Sequence, residues 1–392
     1  MRQNLMRCKG EGMEFHLYCV DCGHKHDNSR YRIHCEVCNG LLDVQYSEAF
    51  DIKNMTNHNK VGTARYLSAL PIRTASNLVT MGEGNTPLIP LDAVGKKLGI
   101  RTLQGKLEYL CPTGSFKDRG NVVQVSVLKD TGVTEIVDPI GGNAGHSFAA
   151  YCARAGIKVL GVADEAKRGN RKLHAIEMHG VEMIWTNSGT RGRVEGARRL
   201  SEDTGVMLMD YGKNIYFIEG LKTMAYEIVE QMDPLPDHII VPIGNGSIYH
   251  GLYKGFVEML ASGRIERIPR LHGTQTDETQ PFVAAFQGKN WTDSLMAPKS
   301  LAGGVSVPDP PRLDTLVDAA RKSFGSAVAV TEDKILSWQR DLAAMEGIIV
   351  EPTSAVVLAA TEQLVSDGLI KSDDRVLVPL TGFGLKEAIP GF

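Results

Sequence analysis

Twice in this sequence a short apolar run ends in a glycine-rich loop and passes directly into a helical pattern, and a third such run ends in a glycine-rich loop. The segments are Pro139 to Ser147 (PIGGNAGHS), Val241 to Gly251 (VPIGNGSIYHG) and Val378 to Glu387 (VPLTGFGLKE). Strand, tight loop and helix in that order form the unit of a parallel α/β fold, because parallel neighbours need a crossover between them. Further strand candidates are EIVDPI, KVLGVA, VEMIW, MLMDY, HIIVPI and RVLVPL. Amphipathic stretches such as GLKTMAYEIVEQM and DKILSWQRDLAAMEG lie between them. The chain has 392 residues, enough for two or three domains. Residues 1–14 carry no pattern and are expected to be mobile, and Asn54 to Lys60 reads as a polar linker. Gln280 to Arg312 is rich in Pro, Gly and Ser and reads as an irregular crossing between lobes.

Charge and hydropathy remove several classes of function. A net charge of -3 gives neither a nucleic-acid footprint nor a membrane-binding face. No apolar run reaches the roughly 18 residues of a spanning helix, and the first residues lack the apolar stretch of a secretory signal. The expected address is therefore the cytoplasm, with no nucleic-acid or membrane partner.

Cys19, Cys22, Cys35 and Cys38 are spaced Cys-x2-Cys-x12-Cys-x2-Cys. Each pair delivers two thiolates from one turn, and four thiolates make a closed, structural zinc site. The competing reading is a set of reduced, unligated thiols. His24, His26 and His34 lie near enough to compete as ligands but are expected to be solvated loop residues, and Cys111 and Cys152 small buried ones.

The segment Cys111 to Gly120 reads CPTGSFKDRG and runs into the helical NVVQVSVLKD. It sets Lys117 at a helix start behind small hydroxyl residues. A lysine forms a Schiff base only when its amine can lose a proton, which desolvation favours. Taken alone, a solvated lysine paired with Asp118 is the simpler reading. The three glycine loops change the balance. Asn143 can point its amide at a ring hydroxyl, and the N–H groups around Gly244, Asn245, Gly246, Ser247 and Ile248 make an anion site. That loop has neither the lysine of a triphosphate loop nor the spacing of a dinucleotide fingerprint, so a monophosphate fits it. Thr381 offers a neutral hydroxyl to a pyridine nitrogen. Together these are a coherent set of contacts for pyridoxal phosphate on Lys117.

On these motifs, with GEGNTPLIPL (Gly82 to Leu91) and EPTSA (Glu351 to Ala355), the sequence resembles threonine synthase and its fold-type II pyridoxal-phosphate relatives. The resemblance covers nearly the whole chain. It implies a two-lobed, tryptophan-synthase-β-like α/β fold with a small N-terminal zinc ribbon. The expected division is 15–46 for the ribbon, 60–115 with 222–392 for a large cofactor-binding lobe, and 116–221 for a small lobe. Lys117 is then the imine lysine, Asn143 contacts the cofactor's 3′ oxygen, Gly244 to Ile248 hold its phosphate, and Thr381 faces its ring nitrogen. A homodimer follows by the same likeness, and a closing motion of the two lobes is expected to exclude water.

The resemblance implies a lyase of amino-acid biosynthesis that converts O-phosphohomoserine and water to threonine and phosphate. The alternatives are β-replacement on O-phosphoserine or O-acetylserine, as in cysteate or cysteine synthase, and a catalytically silent or regulatory relative. Departures keep them open. Ile140-Gly141-Gly142-Asn143 stands where threonine synthases usually carry Ser-Thr-Gly-Asn. Phe217 stands at a usual arginine, Leu221 at a glutamine and Phe383 at a histidine. Loss of the arginine removes a charge-assisted contact worth about 1.5–3 kcal/mol. Lys213, Arg168 and Arg171 are candidates to replace that charge.

Overall fold

The computed structural model describes residues 13–48, 51–52, 56–187, 189–291 and 300–387. The N-terminal piece is an antiparallel ribbon of β1 (Phe15–Cys19), β2 (Lys25–His26) and β3 (Leu42–Tyr46), in the order β2-β1-β3. Its register sets Phe15 opposite Tyr46 and Cys19 opposite Leu42. The ribbon is bolted to the body by charge: Lys254 pairs with Asp43 and, at 2.7 Å, with Glu219, and the Tyr46 hydroxyl donates to Glu219.

The body contains two sheets. The larger joins β4 (Leu88–Pro90), β5 (Thr102–Lys106), β9 (His238–Pro242), β10 (Arg270–Thr276), β11 (Ala327–Val330) and β12 (Arg375–Pro379), in the order β11-β10-β9-β12-β5-β4. All its pairs are parallel except β4 with β5. The smaller is a parallel set of β6 (Glu135–Asp138), β7 (Lys158–Asp164) and β8 (Glu182–Thr186). Strand β9, HIIVP, is buried at every residue, as expected of a central parallel strand covered on both faces.

Six helices carry the site: α1 (Lys117–Asp130), α2 (Gly142–Ala155), α3 (Gly189–Thr204), α4 (Ile215–Leu221), α5 (Ser247–Ala261) and α6 (Pro352–Ser366). Helix α1 is buried continuously from Asp118 to Leu128 and runs through the middle of the molecule. Pro352 opens α6, where its missing N–H costs nothing. Gly156 closes α2 in the left-handed conformation at φ 71. Loops after β6, β9 and β12 leave the carboxyl ends of their strands, where open α/β sheets bind ligands.

Some local expectations fail. MLMDY is no strand: it contributes one bridge, Leu208 to Val137, because Asp210 and Tyr211 turn away toward α4. The crossing from Gln280 begins with a short helix, Pro281–Phe286, and its residues 292–299 lie outside the described ones. Residues 1–12 also lie outside them, whereas Met13 is buried and donates its N–H to Ser68 O at 3.1 Å. No helix among the described residues is long and apolar enough to cross a membrane.

Candidate active site

Lys117 stands at the head of α1, half-buried among aromatic rings. Its Nζ lies 4.3 Å from the Phe116 ring centre, 5.5 Å from Tyr211 and 5.7 Å from Phe217. Desolvation by these rings lowers the amine to about 8, and the negative charge of Glu351 partly opposes the shift. Asp118 does not pair with it. That carboxylate accepts from the Thr113 N–H at 2.7 Å and from the Thr113 and Ser147 hydroxyls at 2.5 Å each. The turn is thereby fixed while the amine stays free.

The late loop lies against the lysine turn. Phe116 N–H donates to Thr381 O at 3.1 Å, and Phe383 N–H to Gly114 O at 3.0 Å. Thr381 is buried, with its hydroxyl 2.8 Å from that of Ser354. Asn143 joins the same group from the other sheet: its Nδ2 donates to Glu351 Oε2 at 2.6 Å, while its Oδ1 is buried and unpartnered. The fourth wall is the loop before α5. Gly246 has φ +77, and a Cβ there would stand 2.2 Å from Leu316 Cδ1. A Cβ on Gly244 would stand 2.1 Å from Gly304 O. Both positions demand glycine, and together they bare the first N–H groups of α5. Asn245 Nδ2 reaches the Tyr211 hydroxyl at 3.0 Å, tying this loop to the aromatic wall around Lys117.

The sequence reading thus named residues that converge: Lys117, Asn143, the Gly244 to Ile248 loop and Thr381. It passed over Glu351, Lys172, Lys386 and Tyr211. Lys172 pairs with Glu351 at 2.8 Å, and Lys386 donates to Thr113 O at 2.6 Å. Burial lowers the Lys386 amine to about 8. EPTSA and LTGFGLK were read as motifs, but only the fold brings their charged members together.

The altered positions are also explained. Ile140 is buried in the core of the small sheet, packed on Gly145 and Gly161, and leaves the pocket wall to Gly141. Phe217 is fully buried with its ring against Gly120. Phe383 stacks on Tyr109 at 5.7 Å. Of the substitute cations, Arg168 pairs with Glu165 at 2.6 Å and lies over Trp185, Lys213 pairs with Asp210 at 3.6 Å, and Arg171 donates to Leu385 O at 3.2 Å.

In the ribbon, the Sγ atoms of Cys19, Cys22, Cys35 and Cys38 all lie within 4.8 Å of one another. Cys19 to Cys38 is 3.4 Å and Cys22 to Cys35 is 3.7 Å. Four thiolates about 2.3 Å from one zinc stand about 3.8 Å apart, so the cluster fits. His26 corrects the sequence reading: it is buried, its Nε2 3.3 Å from Cys35 Sγ, because β2 turns it inward. His24 is exposed, as expected. Cys111 and Cys152 are buried.

This fold and site define a vitamin-B6 enzyme of the two-sheet α/β kind, and comparison with known proteins agrees. Residues 79–382 match the model of the pyridoxal-phosphate dependent enzyme family, and the chain belongs to that family. Within it the chain is threonine-synthase-like. It is 35% identical to the threonine synthase of Methanocaldococcus jannaschii, covering 94% of this chain and 92% of that one. It is 33% identical to the threonine synthase of Methanosarcina acetivorans, covering 95% and 92%. Among solved structures it is similar to threonine deaminase isoform 2 of Solanum lycopersicum, with TM-score 0.66, 19% identity, and 76% of this chain and 78% of that chain covered. Maize serine racemase aligns with TM-score 0.64, 22% identity, and coverage of 78% and 90%.

Proposed function

We propose that this enzyme converts O-phosphohomoserine and water to threonine and phosphate, using pyridoxal phosphate bound to Lys117. The observation that carries the reading is the convergence on one desolvated amine of two glycine-rich loops and a late hydroxyl. The unpartnered Asn143 Oδ1 and the close glycine cradle fit the group. Asn143 would face its 3′ oxygen, the loop Gly244 to Ile248 its phosphate, and Thr381 its ring nitrogen. Bound there, pyridoxal phosphate supplies an electron sink for charge left on a substrate's Cα.

The chain's own groups do the rest. Lys117 Nζ would hold the group and, when free of it, would take the Cα proton, for which an amine near 8 is suited. Glu351 sits within reach of its charge and biases that proton's residence on nitrogen. The rings of Phe116, Tyr211 and Phe217 keep water from the amine. Thr381, a neutral hydroxyl held by Ser354, would face the ring nitrogen without protonating it, which would favour elimination and replacement over transamination.

β-Replacement on O-phosphoserine or O-acetylserine is the second reading, favoured by Gly141, which strips a hydroxyl from the substrate side of the Asn143 loop. Free phosphate with threonine from O-phosphohomoserine supports the first reading. A long-lived visible band with serine esters and no threonine supports the second. Silence with every amine substrate would favour the non-catalytic relative. The same proposal includes one structural zinc on Cys19, Cys22, Cys35 and Cys38, the lobe boundaries 60–115 with 222–392 and 116–221, a homodimer and a cytoplasmic setting.

A further inference from the structure

Phe217 occupies a position where a cation was expected, yet a cation does reach the pocket, from α3. Arg193 leans over the Asn143 loop. Its Nη1 donates to Ile140 O at 3.2 Å and lies 2.4 Å from the place a Cβ on Gly141 would take. Any larger residue at 141 would push the guanidinium aside. The Arg193 Nε is buried without a hydrogen-bond partner. Fully buried Gln124 likewise leaves its Oε1 unpartnered. Both residues line one small cavity with Asp138, Gly141, Met209 and Tyr211, about 50 Å³ in volume. Tyr211 is the wall it shares with Lys117.

Buried polar atoms are almost always satisfied, so the unpartnered Arg193 N–H on this cavity points to an acceptor guest, while Gln124 Oε1, itself an acceptor, takes a proton that the guest or a water donates. Arg168, Arg171 and Lys213 do not line this cavity, and each is engaged elsewhere. We propose that Arg193 is the specificity-determining residue that receives the anionic group a substrate carries beyond its Cα, a phosphate or a carboxylate. This rests on the reaction proposed above and names the residue that selects its substrate. A guanidinium fork matches either anion with paired N–H donors. Burial pushes the Asp138 carboxyl up to about 7, so below that pH it is neutral beside the guest and can donate an O–H. The departures at 141 and 217 then make one pattern. Glycine clears room for a guanidinium arriving from α3, while the former cation position is filled with an apolar ring.

The test uses the holoenzyme and three probes. Inorganic phosphate and succinate are bound calorimetrically; L-norvaline, which has no distal charge, is followed through the visible spectrum. Arg193→Gln is expected to weaken phosphate, succinate or both by about 10- to 100-fold, with norvaline unchanged and Arg193→Lys partly restoring the anion. The ratio of phosphate to succinate loss identifies which anion the site is built for. Unchanged anion binding in Arg193→Gln, no anion binding by the unmodified enzyme, or parallel loss of norvaline overturns the proposal. Failure to turn over O-phosphohomoserine would instead overturn the reaction, since these binding ratios decide the role of Arg193 without it.

Discussion

Arg119, two residues beyond the reactive lysine, makes paired hydrogen bonds to Glu227 at 2.8 and 2.7 Å and to Glu108 at 2.7 and 2.8 Å, with every participant buried. Lys106 adds a second cation, 2.9 Å from Glu227. The GEGNTP segment joins in: Asn85 N–H donates to Glu227 at 2.6 Å and the Thr86 hydroxyl to Glu108 at 2.7 Å. The head of α1 is thus clamped by charge. Two cations and two carboxylates balance, but removing one partner strands the others. Arg119→Met is expected to cost about 3–5 kcal/mol in urea unfolding. A loss below about 1 kcal/mol would show that the cluster is not what holds the helix.

The amine of Lys117 gives a pH signature. Its lowered value means it is cationic below about pH 8 and free above it, whereas an ordinary lysine is free only near 10.5. In cofactor-free protein, labelling of Lys117 by an amine reagent, read by mass spectrometry, should therefore rise with a midpoint near 8. Glu351→Gln should move the midpoint lower, because the carboxylate favours the charged amine. Lys117→Ala should abolish the visible band of the bound cofactor. A midpoint near 10.5, or a band retained in the alanine variant, refutes the role.

Glycine at 246 is required twice over, by φ +77 and by Leu316 at 2.2 Å from a would-be Cβ. Gly246→Ala is expected to cost about 1–3 kcal/mol and to release pyridoxal phosphate on dialysis. Full cofactor retention at normal stability would mean that the loop before α5 is only a turn.

What the sequence could disclose follows from how local each signal is. Strand, glycine loop and helix are adjacent in the chain at Asn143 and Gly244, and strand and glycine loop at Thr381, so the parallel sheets and these loops are readable. The cysteine knuckles are local as well. Glu351, Lys172 and Lys386 were not readable as a group, since they meet only when α6, the helix Arg171–Met178 and the late loop pack together. Arg193 was hidden among Arg191, Arg198 and Arg199 on one helix, with nothing in its spacing to set it apart. MLMDY has the hydropathy of a strand, but hydropathy alone does not show that the chain leaves β6 after the single bridge at Leu208.

The ribbon's cysteines divide into a buried pair, Cys19 and Cys35, and an exposed pair, Cys22 and Cys38. Purified chain is expected to carry one zinc by metal analysis, and Cys22→Ser or Cys38→Ser to lose it. A chelator should lower Tm and open the ribbon to proteolysis, since Asp43 and Tyr46 then lose their fixed hold on Lys254 and Glu219. Four thiols that titrate freely in metal-replete protein would favour unligated cysteines.

Asp138 supplies the last test. Burial raises its carboxyl to about 7; the Arg193 charge opposes this and that of Asp210 reinforces it. The folded state therefore holds the proton more tightly than the unfolded chain, whose aspartate titrates near 3.9. The stabilisation is present in full below about pH 4 and is lost as pH rises toward 7, the reverse of a salt-bridged carboxylate. Asparagine mimics the protonated form and cannot ionise. Asp138→Asn should match the unmodified protein in urea unfolding at pH 4 and exceed it by about 2–4 kcal/mol at pH 8. A difference that stays constant across that range would show that Asp138 is ionised throughout, and would remove the neutral donor from the Arg193 cavity.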